Sequence, residues 1–403
     1  MNFKLLALIL LTVTEAYQLL LRIVDYKSSK NPIPASVADV YDGETYAKWK
    51  LYQKDKTFVS IFSSVAGFLV TFALIVFDAY AAVGNLSGNE YLSAILVLAL
   101  DTLAGCLVGT VFGYIDTMRV EQKYGFNKST MGTFVGDVLK DLLLGLILNT
   151  GIVTLFITVW NWLGDWVIVV FAALMFLVLL FVAFLYPVFA KINNKFVPLE
   201  EGELRTKLEA LLEKHGYHVR EIKVMDASRR TTKSNAYFTG FGKMKTIVLY
   251  DTLIAAMTPD EICAVFAHEL GHGLHKDTLK NQIFSILNMT LLAVSLWLVV
   301  RTGAIYPDFG FDGVNYGMAI LLGAEVLMSL VSPLLGLITN AAMRRAEYRA
   351  DRQAKEEGYA EELISALKKL ARENFANLSP SKTVVALTYS HPTIAQRIEA
   401  LRK

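Results

Sequence analysis

The chain has 403 residues, 54% of them hydrophobic and only 19% charged, with a mean hydropathy of +0.43. That is too apolar for an ordinary soluble enzyme and marks a membrane protein with a sizeable polar part. The net charge of +2 argues against a nucleic-acid partner, and two separated cysteines, Cys106 and Cys263, argue against a disulfide framework and exclude a cysteine-ligated structural metal site.

The first apolar run, over 5–24, follows Lys4 like a signal peptide. It is long and lacks a small-residue cleavage site, so it reads as a retained span. A lysine-rich polar stretch follows over 25–56. Further spans are expected over 58–83, 92–115, 142–160 and 166–189, each long enough for the hydrocarbon core. A polar loop at 119–137 and short turns at 84–91 and 161–165 separate them. A polar segment over 191–281 then interrupts, opening with a charged amphipathic helix over 199–215. Strand-like runs at 221–225, 236–241 and 246–250 come next, with a hairpin turn at Gly242-Lys243. Two more spans, 283–300 and 316–338, precede a charged helical tail, and Pro333 predicts a kink in the second. The expected organisation is thus 1–190 with five spans, 191–281 polar, 282–338 with two spans, and 339–403 as a tail. The fold class is predominantly α, integral membrane, with a small β-hairpin or sheet.

Charge sets the expected orientation. Lys27, Lys30, Lys48, Lys50, Lys54 and Lys56 crowd the first loop, and Arg119, Lys123 and Lys128 the 119–137 loop. The opposite turns carry no Lys or Arg apart from Arg301. The positive-inside rule puts the basic loops, the polar segment and the tail in the cytoplasm, a compartment that also suits unpaired cysteines. Glu15, Arg22, Asp78, Asp101 and Glu325 lie within spans. Such groups either line a watery chamber or pair with one another.

The chemistry concentrates at Ala267-His268-Glu269-Leu270-Gly271-His272, an H-E-x-x-H inside a helical pattern that Thr258-Pro259 opens. Spacing i, i+4 puts both imidazoles on one helix face, where His268 and His272 can grip one Zn²⁺ per chain. Glu269 is placed to act as general base toward a water. A metzincin would need Gly at 275 and His at 278, and the chain has His275 and Thr278. A gluzincin takes its third ligand from a later helix, and the tail supplies Glu347 and Asp351 in E-x-x-x-D spacing. Glu347 is the expected third ligand, and Asp351 the group that orients a zinc histidine. His391, in Ser390-His391-Pro392, is either an oxyanion donor or a surface loop residue. The run from Ser234 through Asn235 and Ala236 to Thr239 is either an edge strand for an extended peptide or an ordinary hairpin strand. His215, His218 and His275 are read as non-ligands.

These residues, with Asn31-Pro32-Ile33-Pro34, Lys123-Tyr124-Gly125-Phe126-Asn127, Tyr186-Pro187-Val188-Phe189, the run from Asn194 to Gly202 and Arg397, span nearly the whole chain. In them the chain resembles the type I CAAX prenyl endopeptidases, integral-membrane zinc proteases that trim prenylated C-termini. The resemblance implies seven transmembrane helices forming a barrel around a water-filled chamber, with catalysis at the cytosolic end. It implies zinc on His268, His272 and Glu347, and water activation by Glu269. It implies that Asn235 and Ala236 hold the substrate backbone, while His391 and Arg397 act near the intermediate and the ligand shell. Two departures stand out: Gly273 to Asp277, where another histidine is common, and Thr393, where a second proline is common. The lack of long insertions points to a bacterial origin and the cell membrane; a eukaryotic chain would sit in the endoplasmic reticulum.

The expected partners are the bilayer and a peptide or protein substrate, prenylated or otherwise membrane-associated; the latter would make the enzyme a quality-control protease. A site-2-type intramembrane protease would need its motif within a span and a later L-D-G, which the chain lacks. A zinc-stabilised scaffold or transporter would normally have a closed four-ligand site, and only three good ligands are found.

Overall fold

The structure is a computed structural model and describes residues 2–229, 235–239 and 244–403. The chain begins with α1 (Phe3–Ser28), α2 (Gly43–Val76), α3 (Ala79–Gly84) and α4 (Glu90–Tyr114). A π-helical segment, Ile115–Glu121, carries α4 into α5 (Gln122–Tyr124). Next come α6 (Met131–Leu163) and α7 (Val167–Asn193), joined by the 3-10 turn Gly164–Trp166. The polar segment holds β1 (Phe196–Pro198), α8 (Glu203–Lys214), β2 (His218–Met225), β3 (Ala236–Thr239), β4 (Met244–Tyr250), α9 (Asp251–Ala256) and α10 (Pro259–Leu274). It leads into α11 (Asp277–Arg301), then α12 (Tyr316–Ile320), a π-helical segment Leu321–Leu327, and α13 (Met328–Glu356), which contains Pro333. The tail forms α14 (Ala360–Glu373), α15 (Lys382–Thr388) and α16 (Ile394–Arg402).

Among the described residues six stretches are long and apolar enough to cross a membrane: Phe3–Ser28, Gly43–Val76, Glu90–Tyr124, Met131–Phe181, Leu279–Arg301 and Tyr316–Glu356. The fourth contains the Gly164–Trp166 turn and so includes parts of both α6 and α7. Only 6% of the apolar window of α1, and of α2, is buried by the protein itself. Leu69, Leu107, Leu143, Ile147 and Ile338 stay exposed, surface that water would penalise and lipid would not.

Three expectations are revised: the span expected over 58–83 breaks after Val76, where Asp78 takes a left-handed conformation, φ 54°, and α3 starts anew, and two helices begin early. The lysine-rich stretch over 25–56 is helical from Gly43 onward. Asp42 caps it by accepting the Thr45 N–H at 2.7 Å, and Trp49 and Tyr52 on one face bury against Phe375. The 119–137 loop shrinks to 125–130, because Thr130 caps α6 well before its apolar run begins. The β part is larger than a hairpin. Four strands lie in the order β1-β2-β4-β3, with β2 and β4 parallel and the outer pairs antiparallel. β3 pairs antiparallel with β4, and the expected turn at Gly242-Lys243 lies outside the described residues, as does Ser234.

The charged residues within the spans divide between the two readings. Arg22 donates to the Ser60 carbonyl and hydroxyl, Lys4 pairs with Asp78 at 2.7 Å, and Tyr80 donates to Asp101 at 2.7 Å. Glu15 and Glu325 instead line a cavity of about 750 Å³ between α1, α2 and α13.

Among the described residues two large apolar cores form, beside a small cluster at Met225, Ala227 and Val248. One lies among the spans, around Val97, Phe156, Ile157, Phe171 and Tyr306. The other lies beneath the sheet, joining Trp49, Leu208, Leu212, Ile247, Leu249, Ile262 and Leu367. In the second core α10 crosses α13 at very short range. Ala264 and Ala267 of α10 and Ala350 and Ala354 of α13 are fully buried. A methyl added at Gly271 would meet the Ala350 Cα at 2.8 Å and the Gln353 Cβ at 3.0 Å. Only glycine allows this approach, since the nearest obstacle is backbone. Gly271→Ala is therefore expected to push the two helices apart at a cost of about 1–3 kcal/mol. Thermal unfolding of the purified protein, beside its retained metal content, checks this; an unchanged melting temperature would contradict it.

α10 is held at its start by a reciprocal cap. Thr258 Oγ1 accepts the Glu261 N–H, and the Glu261 carboxylate accepts the Thr258 N–H at 2.7 Å. Ser365 Oγ and Lys369 Nζ also donate to Glu261, each at 2.6 Å. Burial works against the charge on Glu261, but the bonds from Lys369, Ser365 and Thr258 outweigh it and hold the carboxyl below its ordinary value. A lowered carboxyl stabilises the fold above its unfolded pKa and loses that contribution as pH falls through the folded one. Glu261→Gln should thus cost about 1–2 kcal/mol at pH 7. Its deficit against the parent should shrink below about pH 4. Melting curves of both proteins across that range test the sign.

Candidate metal centre

α10 presents His268 and His272 on the face that packs toward α13, because two residues at i, i+4 share a face. His268 is buried and His272 half-buried, with ring centroids 4.9 Å apart and planes at 88°. From α13, Glu347 Oε1 lies 3.2 Å from His272 Nε2, and Oε2 lies 3.5 Å from His268 Nε2. One ligand atom from each of the three falls within 4.8 Å of the others. Glu347 Oε2 is buried and accepts no hydrogen bond, although the Arg397 guanidinium stands 3.3 Å away. An unsatisfied buried carboxylate oxygen is costly. A divalent cation shared with the two Nε2 atoms would satisfy it, so the donor set fits zinc.

The outer nitrogens are engaged. Asp351 Oδ1 lies 2.8 Å from His268 Nδ1. Arg397, buried on α16, clamps that carboxylate by donating Nε to Oδ2 at 2.9 Å and Nη2 to Oδ1 at 2.6 Å. Nη2 also approaches His268 Nδ1 at 3.2 Å. The shorter acceptor contact assigns the Nδ1 proton to the Asp351 bond, leaving the Nε2 lone pair inward. Arg397 thus meets His268 both directly and through Asp351.

His272 Nδ1 faces Asp277 Oδ2 at 3.2 Å. Asp277 was not among the expected site residues. Helical spacing does not reach it, because α10 ends at Leu274 and Lys276 takes a left-handed conformation, φ 55°, that turns the chain into α11. The one available signal was an acidic residue just after the motif, inside a segment already marked as a departure. Burial works against the charge of Asp277, but bonds from Arg349, His272 and Lys280 outweigh it and hold its carboxyl below the usual range. Burial likewise favours neutral His272, yet Glu347 and Asp277 outweigh it and raise the imidazole above its ordinary value.

The remaining expected residues surround this cluster. His391 is exposed, with Nε2 3.3 Å from Glu347 Oε1 and Nδ1 2.8 Å from Ser390 Oγ. Pro392 is buried behind it, and Thr393 caps α16 in a second reciprocal cap with Gln396. Glu269 is half-buried and lines a small cavity with Ala236 of β3, together with Ile247, Leu249, Leu253 and Phe266. β3 is an edge strand, so its far side is not taken up by another strand among the described residues. Asn235 precedes it: its carbonyl accepts the Tyr250 N–H at 3.1 Å and its side chain accepts the Ala236 N–H at 2.9 Å. The other histidines stand apart. His215 pairs with Glu357 at 2.7 Å, His275 is the exposed C-cap of α10, and the His218 side chain is outside the described set.

Residues 22–191 match the family model described as CAAX prenyl protease N-terminal, five membrane helices, and residues 198–403 match peptidase family M48. A CAAX prenyl protease 1 homolog from Oryza sativa subsp. japonica is 32% identical, over 98% of this chain and 95% of its own. CAAX prenyl protease 1 from Saccharomyces cerevisiae is 31% identical, over 93% of this chain and 89% of its own. The crystal structure of S. mikatae Ste24p superposes with a TM-score of 0.91 at 29% identity, covering 100% of this chain and 99% of that one. The chain belongs to peptidase family M48, among the CAAX prenyl protease 1 proteins, and is a multi-pass membrane metalloprotease.

Proposed function

We propose that the protein is a zinc endopeptidase that cuts near the C-termini of membrane-associated proteins, prenylated CAAX proteins in particular. The observation that carries the zinc reading is the orphaned Glu347 oxygen, buried opposite two imidazoles whose Nδ1 atoms are both engaged by carboxylates. His268, His272 and Glu347 would hold the ion. Zinc bound there supplies Lewis acidity to the scissile carbonyl and lowers the pKa of a water. Glu269 takes the proton of that water on its carboxylate and later gives it to the leaving amine. His391, exposed beside Glu347, donates from its ring to the oxyanion. The edge of β3 at Asn235 and Ala236 pairs with an extended substrate, which lays the peptide beside Glu269. The substrate class rests on the CAAX prenyl protease names of the relatives.

Counting α6 and α7 separately makes seven spans, which support the barrel reading. The charge asymmetry of the loops supports a cytoplasmic active site. α11 and α13 continue from the site into apolar stretches, which supports a site close to the membrane boundary on that side. Three ligands with an exposed flank favour an enzyme over a closed structural site.

Glu269→Ala should retain about one zinc per chain and lose peptide hydrolysis by about 100-fold or more. Metal analysis and a cleavage assay on one preparation test both halves; cleavage at the parental rate would remove Glu269 from the mechanism. Matched farnesylated and unmodified peptides, followed by mass spectrometry, test the substrate class. Preference for the farnesylated peptide is expected, and equal cleavage would move the reading to membrane-protein quality control.

A further inference from the structure

We infer that Asp277 and Arg349 form a second positioning relay, which fixes His272 as the Asp351–Arg397 pair fixes His268. The inference rests on the zinc reading above. Asp277 is 4% exposed, and both of its oxygens are committed. Oδ2 faces His272 Nδ1 at 3.2 Å, and Oδ1 accepts Arg349 Nη2 at 2.7 Å and Lys280 Nζ at 3.1 Å. Arg349 lies midway between Glu347 and Asp351 on α13. Among the described residues Asp277 is its one hydrogen-bond partner, and its buried Nε has none. A guanidinium nitrogen left dry costs free energy, so the side chain is held there by what it does for Asp277.

A plainer account would make Asp277 the usual acid in the first turn of a helix, set against the macrodipole of α11. The geometry disfavours that account as sufficient. The N-cap of α11 is Lys276 and makes no side-chain cap, and Asp277 turns away toward α10 and α13. The left-handed Lys276 is an unfavourable conformation for a residue with a Cβ. It is also what brings Asp277 beneath His272. With Arg349 and Lys280 both donating to it, Asp277 stays an acceptor. The His272 Nδ1 proton is then fixed on the carboxylate side, and the Nε2 lone pair points at Glu347.

The two relays are alike in chemistry and different in origin. His268 is held by Asp351 of α13 and Arg397 of α16, His272 by Asp277 of α11 and Arg349 of α13. The second therefore ties the metal site to α11 as well as α13, and both of these enter apolar spans. The motif segment marked as a departure from the family pattern is the one that supplies Asp277.

The test is zinc affinity of the full-length purified protein, measured by chelator competition, together with the visible spectrum of the cobalt-substituted form. Asp277→Asn is expected to weaken zinc about 10- to 100-fold and to shift the cobalt bands. Arg349→Gln should weaken it less, because Lys280 remains. The double variant should be no worse than Asp277→Asn alone, since Arg349 acts through Asp277. Parental affinity in Asp277→Asn overturns the relay, and additive losses in the double variant overturn the role of Arg349. Should Asp277→Asn not fold, parental affinity and spectrum in Arg349→Gln overturn the proposal by themselves. A parental protein that holds no zinc would sink the metal reading itself, which separates that failure from failure of the relay.

Discussion

Everything at the metal centre depends on how closely α10 approaches α13. The two histidines come from one helix and the carboxylate from another, and the gap is set by the smallest side chains at the crossing. Gly271 lies between the two histidines in the same helical turn, over the Ala350 backbone, with Ala264, Ala267 and Ala354 fully buried around it. Bulkier residues there would separate the rods by more than a carboxylate can span. The glycine inside the motif thus belongs to the packing as much as to the chemistry.

Close approach brings charges together, and burial makes each unpaired charge expensive. Three carboxylates, two arginines and three imidazoles lie within a few ångströms, most of them shielded from water. They are arranged so that each aspartate accepts from an arginine on one side and faces an imidazole on the other. Of these three carboxylates, Glu347 is the one that keeps a buried oxygen unspent. Among the carboxylates of the cluster that oxygen is the exception, and it is the observation behind the proposed cation.

The same helices that carry the site are also membrane helices. α11 starts at Asp277 and α13 runs unbroken from the apolar region past Glu347 and Asp351. The polar segment is therefore not a soluble enzyme on a tether. Its core joins Trp49 and Tyr52 from the extension of α2 with Leu363 and Leu367 from the tail, so spans and protease part share one packed body. The cavity between α1, α2 and α13 runs from Glu325 of the π-helical segment along α13 to Asn340, toward the site.

Much of this was readable without coordinates. Apolar runs of membrane length, the i, i+4 histidines, the E-x-x-x-D pair and the cap at Thr258 all rest on local periodicity, which a linear string carries in full. The edge strand at Ala236 and the flanking histidine at His391 were legible as alternatives, and packing set where each lies. What the string could not show depends on residues far apart in it. The helical extension at Gly43 is held by Phe375, whose carbonyl accepts the Trp49 indole N–H and whose ring meets Tyr52. The parallel pairing of β2 with β4 follows from the shared core beneath. Asp277 reaches His272 only through a left-handed residue that no spacing rule anticipates. Local order follows from backbone geometry and side-chain period, which are properties of neighbours. The meeting of α10, α11, α13 and α16 around one point is decided by burial and close packing, which are properties of the whole chain.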